Sequence, residues 1–151
     1  MSVPSLKEQV DTDEKRRAII DDALRVLDQE VGDKSGISGL AIKGAFKMVK
    51  GIQPGFLRRV VDNLLDDFLE ALNPIYQESL AEQKPPGKHL ESNAGRVADS
   101  LLGITDARAE RAQRAVIKKT YGKLRPAAKK HVEAAAPRLG AMLERHAQLS
   151  G

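Results

Sequence analysis

Residues 55–72 read GFLRRVVDNLLDDFLEAL, and their spacing decides the fold. Leu57, Val60, Val61, Leu64, Leu65, Phe68 and Leu72 recur at intervals of three and four, which gathers them on one stripe of a 3.6-residue helix. Arg58, Arg59, Asp62, Asp66, Asp67 and Glu70 fall mainly on the other side. Pro54-Gly55 breaks whatever precedes the stretch. Asn73-Pro74 reads as the cap and first turn of a short further helix to about Gln83.

Helical signals continue toward the start of the chain. Ser5 and Glu8 have capping-box spacing and predict a short helix near Ser5–Val10. Thr12 then caps a helix near Asp13–Val31, with Ile20, Ala23, Leu24, Leu27 and Val31 on one face and Gly32 as a stop. Ser35 or Ser38 begins another over Gly36–Gly51, whose apolar face is Ile42, Ala45, Phe46 and Val49.

Beyond the central stretch, Lys84-Pro85-Pro86-Gly87 is the strongest breaker in the chain and a candidate subdomain break at 84–87. A helix near Lys88–Gly103 follows, turning Leu90, Ala94, Val97, Ala98, Leu101 and Leu102 inward. Thr105-Asp106 caps the next, about Asp106–Gly122. Pro126 stands in the first turn of the last helix, which runs to about Gln148 with Pro137 as a kink or split. No stretch alternates apolar and polar residues in the manner of a strand. The expected architecture is all-α: a single-domain bundle over residues 1–151, of about six to eight helices with short connections.

Composition narrows the functional classes. The chain has 151 residues, 41% hydrophobic and 30% charged, the balance of an ordinary folded domain. It has no cysteine, which removes disulfides, thiolate metal sites and a Cys nucleophile. No run of residues approaches the ~20 apolar positions of a membrane span. Met1–Val10 has no apolar core like that of a signal peptide, so the expected compartment is the cytoplasm.

Net charge is +4, but residues 106–151 carry 11 Lys/Arg against 4 Asp/Glu. Such a segment either pairs with acidic helices elsewhere in the fold or faces an anionic partner. The pairing reading comes first. For the second, the candidate anion-binding residues are Arg111, Arg114, Lys118, Arg125 and Lys129, which recur near helical spacing. Lys43, Lys47 and Lys50 form a further basic stripe at i, i+4 and i+7. Tyr121 is the one aromatic among the C-terminal cations, and no helix-turn-helix, zinc or RNP signature is present, so nucleic acid is weakly supported.

Catalytic and metal motifs are scarce. His89, His131 and His146 have Pro86, Ala128 and Leu143 three residues earlier, so none forms Glu-x-x-His, and there is no His-Glu-x-x-His. Gly39-Leu-Ala-Ile-Lys-Gly44 has phosphate-loop glycine spacing without the following Lys-Ser/Thr, and Gly36–Gly39 is an incomplete nucleophile elbow. Asp62, Asp66 and Glu70 line one helical stripe; it reads first as a solvated face, helped by Arg58 at i−4 from Asp62, and second as a stripe able to hold a hard cation such as Mg²⁺ or Ca²⁺. No catalytic residue, cofactor or metal ligand is assigned. An enzyme would need residues distant in sequence to meet, such as His89 or His131 with a carboxylate and Tyr121.

Ser35–Phe56 is unusual in carrying glycines at 36, 39, 44, 51 and 55. The first expectation is a buried helix: Ile42, Phe46, Val49 and Phe56 packed on Val60, Val61, Leu64 and Phe68, Gly44 admitting a neighbouring helix, and the lysines at the rim. The alternative is a basic amphipathic helix facing an anionic surface.

Several blocks resemble an uncharacterised family of small bacterial all-helical proteins, a domain of unknown function. They are Gly39-Leu-Ala-Ile-Lys-Gly44, Val49-Lys-Gly-Ile-Gln-Pro-Gly-Phe56, Ala98-Asp-Ser-Leu-Leu102 with Thr105-Asp-Ala-Arg108, and Tyr121-Gly-Lys-Leu-Arg-Pro126. The resemblance implies a helical fold and a bacterial cytoplasmic setting, and brings no activity. Three functional expectations follow. The first is a non-enzymatic binding or scaffold protein acting through protein–protein contacts or self-association, with the Ile52–Phe56 turn as part of its interface. The second is electrostatic attachment to a membrane surface or nucleic acid through the basic helices. The third is an enzyme.

Overall fold

The computed structural model describes residues 4–147, which form seven helices and no strand. They are α1 (Leu6–Gln9), α2 (Asp13–Asp33), α3 (Gly36–Lys50), α4 (Phe56–Ala81), α5 (Pro86–Ser92), α6 (Ala94–Glu110) and α7 (Ala115–His146). The expected end of the last helix at Gln148 lies outside the described residues.

Local signals set the early boundaries as expected. The Ser5–Glu8 capping box is closed in both directions, and the Thr12 hydroxyl accepts from the Lys15 N–H. Gly32 does not stop α2, which runs to Asp33 before Lys34 turns extended. α3 lies between Gly36 and Gly55, both at φ 75°, a left-handed conformation that costs glycine little and other residues more. α4 ends in a Schellman motif with Gln83 in the left-handed position: Lys84 N–H donates to Ser79 O and Gln83 N–H to Leu80 O.

The proline boundaries are a correction. Pro74 lies inside α4 and Pro126 inside α7, so the two helix starts expected there are absent, and Pro137 does not split α7. All three prolines are exposed. A carbonyl four residues earlier sits on the same face, so the acceptor each proline strands is on the wet side, where water can serve it. The apolar stripe of α4 continues past Pro74 through buried Ile75 and Tyr76, and burial outweighs the propensity loss. Thr105-Asp106 is not a cap either: both residues lie within α6, and the chain breaks instead at 111–114. Asn93 divides the expected Lys88–Gly103 helix, its side-chain amide donating to the His89 carbonyl at the end of α5.

The core joins α1, α2, α4, α5, α6 and α7. Leu65, Leu69, Leu72, Ile75 and Tyr76 of α4 form its spine, met by Leu90, Val97, Leu101 and Leu143. In α2 the deepest side chains are Ile19, Ile20, Asp22 and Val26, so the buried face is rotated from the one expected. α1 is tied to α4 by Leu6 N–H to Asn73 Oδ1 and by Gln9 Nε2 to the Tyr76 hydroxyl. α3 contributes nothing to this cluster.

Candidate docking face on the third helix

α3 is apolar on two sides, and only one side is covered. Inward, Gly39 and Ala45 are buried, and Ile42, Phe46 and Val49 are half-buried. A Cβ on Gly39 would stand 2.7 Å from the Lys34 carbonyl carbon, so the tight glycine of this helix is Gly39. Outward, Ile37 is 90% exposed, Leu40 71% and Met48 47%. Nothing lies within 4 Å of a Cβ built on Gly44. The expected central burial and the close approach at Gly44 are therefore corrected, while Ile42, Phe46 and Val49 do make the inward face and the three lysines are exposed as expected. Its two apolar sides cannot both face the bundle, and the core is already closed by α4 and α7 on α2.

The eight candidate cations separate into three groups. Lys50 pairs with Asp28 at 3.0 Å and lies 4.5 Å from the centroid of the Phe46 ring. Arg125 pairs with Asp106 at 2.8 Å, and Lys129 with Asp99 at 3.0 Å. Arg114 lies over the Phe56 ring, 5.8 Å from its centroid. Lys43, Lys47, Arg111 and Lys118 are exposed and have no ion-pair partner among the described residues. Other cations of the basic third are engaged as well: Arg108 with Asp67, Arg138 with Glu30 and Asp33, Arg145 with Asp22. Much of that segment's charge thus serves to hold α6 and α7 to their neighbours.

The Asp62, Asp66 and Glu70 stripe is likewise paired, though not by Arg58, which bonds Asp21. Arg16 reaches Asp62 and Asp66, each at 2.8 Å, and Lys7 reaches Glu70 at 2.9 Å.

Two clusters were not visible in sequence spacing. Glu78, Glu82 and His89 present ligand-type atoms within 4.8 Å of one another across the α4–α5 turn. His89 Nε2 lies 2.7 Å from Glu78 Oε1, and Arg96 contacts both Glu78 oxygens at 3.1 and 3.2 Å. Arg96 first and His89 second hold the Glu78 carboxyl below its usual range, and the Arg96 guanidinium already offsets the charge of this carboxylate. The second cluster joins α6 and α7. The Tyr121 hydroxyl bonds Thr105 Oγ1 at 2.7 Å and Asp106 Oδ1 at 2.5 Å, while Arg125 grips both Asp106 oxygens. Arg125, then Tyr121, pulls the Asp106 carboxyl down. No hydrogen bond among the described residues joins His89 or His131 to Tyr121.

A shallow cleft of about 270 Å³ adjoins the end of α3, lined by Leu24, Asp28, Lys50, Phe56, Leu57 and Arg58. No helix among the described residues is long and apolar enough to cross a membrane. The chain belongs to the family of unknown function DUF6918, whose model matches residues 6–147. No curated protein and no solved structure matches it.

Proposed function

We propose that this protein is a non-enzymatic binding module of the bacterial cytoplasm whose working surface is the outer face of α3. One observation carries the reading. Ile37, Leu40 and Met48 stand in solvent beside Lys43 and Lys47, which have no partner among the described residues, on a helix with no acidic residue. Among the described residues the bundle otherwise covers its large apolar side chains; of the four most exposed, three are on this one face and the fourth is Val116. A contiguous apolar patch left open marks a contact surface more often than a defect.

The chain has no cysteine, so Met48→Cys gives a single attachment point for a polarity-sensitive dye. The labelled protein is titrated with the soluble and the membrane fraction of a bacterial lysate, and sedimentation reports self-association. A blue shift with either fraction, or on self-association, supports the reading. An unshifted probe on a protein that sediments as a monomer overturns it.

A further inference from the structure

We propose that the occupant of the α3 face is the headgroup layer of an anionic lipid bilayer; this rests on α3 being the working surface. Helical geometry places Ile37, Leu40, Gly44 and Met48 on one outward stripe, with Lys43 and Lys47 along its edge at i, i+4. That is the layout of a helix lying in a membrane interface: apolar side chains enter the acyl boundary and lysines reach back to phosphate. Charge complementarity selects the lipid, because Lys43 and Lys47 have no ion-pair partner among the described residues, Lys50 being held by Asp28, and α3 has no carboxylate to repel an anionic headgroup.

The size of α3 favours a lipid surface over a folded protein docked on this helix alone. α3 has 15 residues, about 22 Å of helix, and only one side of it is open. A stable protein interface takes about 800 Å² and 20–30 residues from each partner, whereas interfacial insertion uses a single helix face sunk about 5–10 Å. Gly44 fits the same picture, since its open site leaves the stripe shallow between Leu40 and Met48.

The test uses the full chain with vesicles of phosphatidylcholine and of phosphatidylcholine mixed with phosphatidylglycerol. The protein should sediment with the anionic vesicles and much less with the neutral ones, and salt should weaken the binding. The dye at Met48→Cys should shift blue on the anionic vesicles. Lys43→Gln and Lys47→Gln should each weaken partition about fivefold, the value for one basic residue at such a surface. Leu40→Asp should abolish it. All three side chains are exposed, so thermal melts should match the parent and separate lost binding from lost folding.

Failure to bind anionic vesicles overturns the proposal. So does binding that survives Leu40→Asp, or that leaves the Met48 probe unshifted, since the charge of Arg111 and Lys118 would then suffice. Equal, salt-sensitive binding to duplex DNA that ignores Leu40→Asp would mean unselective electrostatics and also overturns it. Self-association abolished by Leu40→Asp would assign the face to a second copy. A probe that shifts with soluble extract but not with vesicles would defeat the lipid and keep the face; a probe silent in every setting would defeat both.

Discussion

Gly140 and Gly87 meet backbone to backbone: a Cβ on Gly140 would stand 2.7 Å from both the Cα and the carbonyl oxygen of Gly87. The contact lets α5 lie against α7 with no side chain between them, and the Gly87 N–H donates to Glu144 at 2.8 Å. Backbone cannot yield as a flexible side chain can. Gly140→Ala should therefore destabilise the protein by about 1–3 kcal/mol. Gly44→Ala should do the reverse, adding up to about 1 kcal/mol of helix propensity in open space. Urea denaturation of both variants checks this, and a neutral Gly140→Ala would show that the two helices part easily.

Asp22 is buried in α2, 4% exposed, and bonds Arg145 through both oxygens, His146 at 2.8 Å and Arg25 at 3.1 Å. Burial pushes its carboxyl up, but Arg145, His146 and Arg25 together pull it lower, leaving it below the usual range. The unfolded chain therefore takes up the proton first as pH falls. The stabilisation is fully present above the ordinary value of 3.8 and is lost below it, as pH drops through the folded value. Asp22→Asn should cost about 1–3 kcal/mol at neutral pH, because half-exposed Arg145 regains water. It should also flatten the acid limb of the stability–pH curve. An unchanged acid limb would assign that limb to other carboxylates.

His131 Nε2 is buried without a hydrogen-bond partner. Burial first, then the nearby Lys34 and Lys130 charges, pushes this imidazole below its ordinary 6.5. Protonation thus favours the unfolded chain, and stability falls as pH drops from 6.5 toward the folded value. His131→Leu removes both the stranded nitrogen and the titration. It should raise the melting temperature by a few degrees and make it less sensitive to pH between 7 and 5. A melting temperature that falls would mean the ring nitrogen is served by water.

Tyr121 should titrate late. Burial, then Asp106, moves its phenol above the ordinary 10.0. In an alkaline ultraviolet titration, the transition missing from Tyr121→Phe should lie above that value. The same substitution should cost about 1 kcal/mol, because the hydroxyl ties α6 to α7 through Thr105 and Asp106. A difference titration centred at or below 10.0 would show the hydroxyl to be hydrated.

The helical pattern of this chain was legible because each amphipathic stripe is long. Leu65, Leu72, Leu90, Val97, Leu101 and Leu102 all lie in the interior where their spacing put them. Proline punctuation misled at Pro74 and Pro126, which stand on exposed faces inside continuous helices, where water can serve the carbonyl each one strands. Asp22 was invisible as a core residue because its burial depends on Arg145, which no local window contains. α3 misled in the opposite direction. Its composition is that of a core helix, but apolar residues on two sides mean that one side must be left over, and spacing alone does not say which. The Tyr121–Asp106 bond joins two of the quoted sequence blocks, yet only a tertiary contact gives them a shared purpose.

The Asp22–Arg145 pair also imposes an order in time. The two residues are 123 positions apart, and at a synthesis rate of about 5–20 residues per second the second follows the first by roughly 6–25 s. Throughout that interval Asp22 has Arg25 of its own helix beside it but lacks Arg145 and His146 of α7. A dry contact of α2 with α4 alone would bury that carboxylate without the two α7 partners that offset its desolvation. The last turn of α7 supplies the remaining counter-charge, so the contact of α2 with α7 is complete only once that turn has been made.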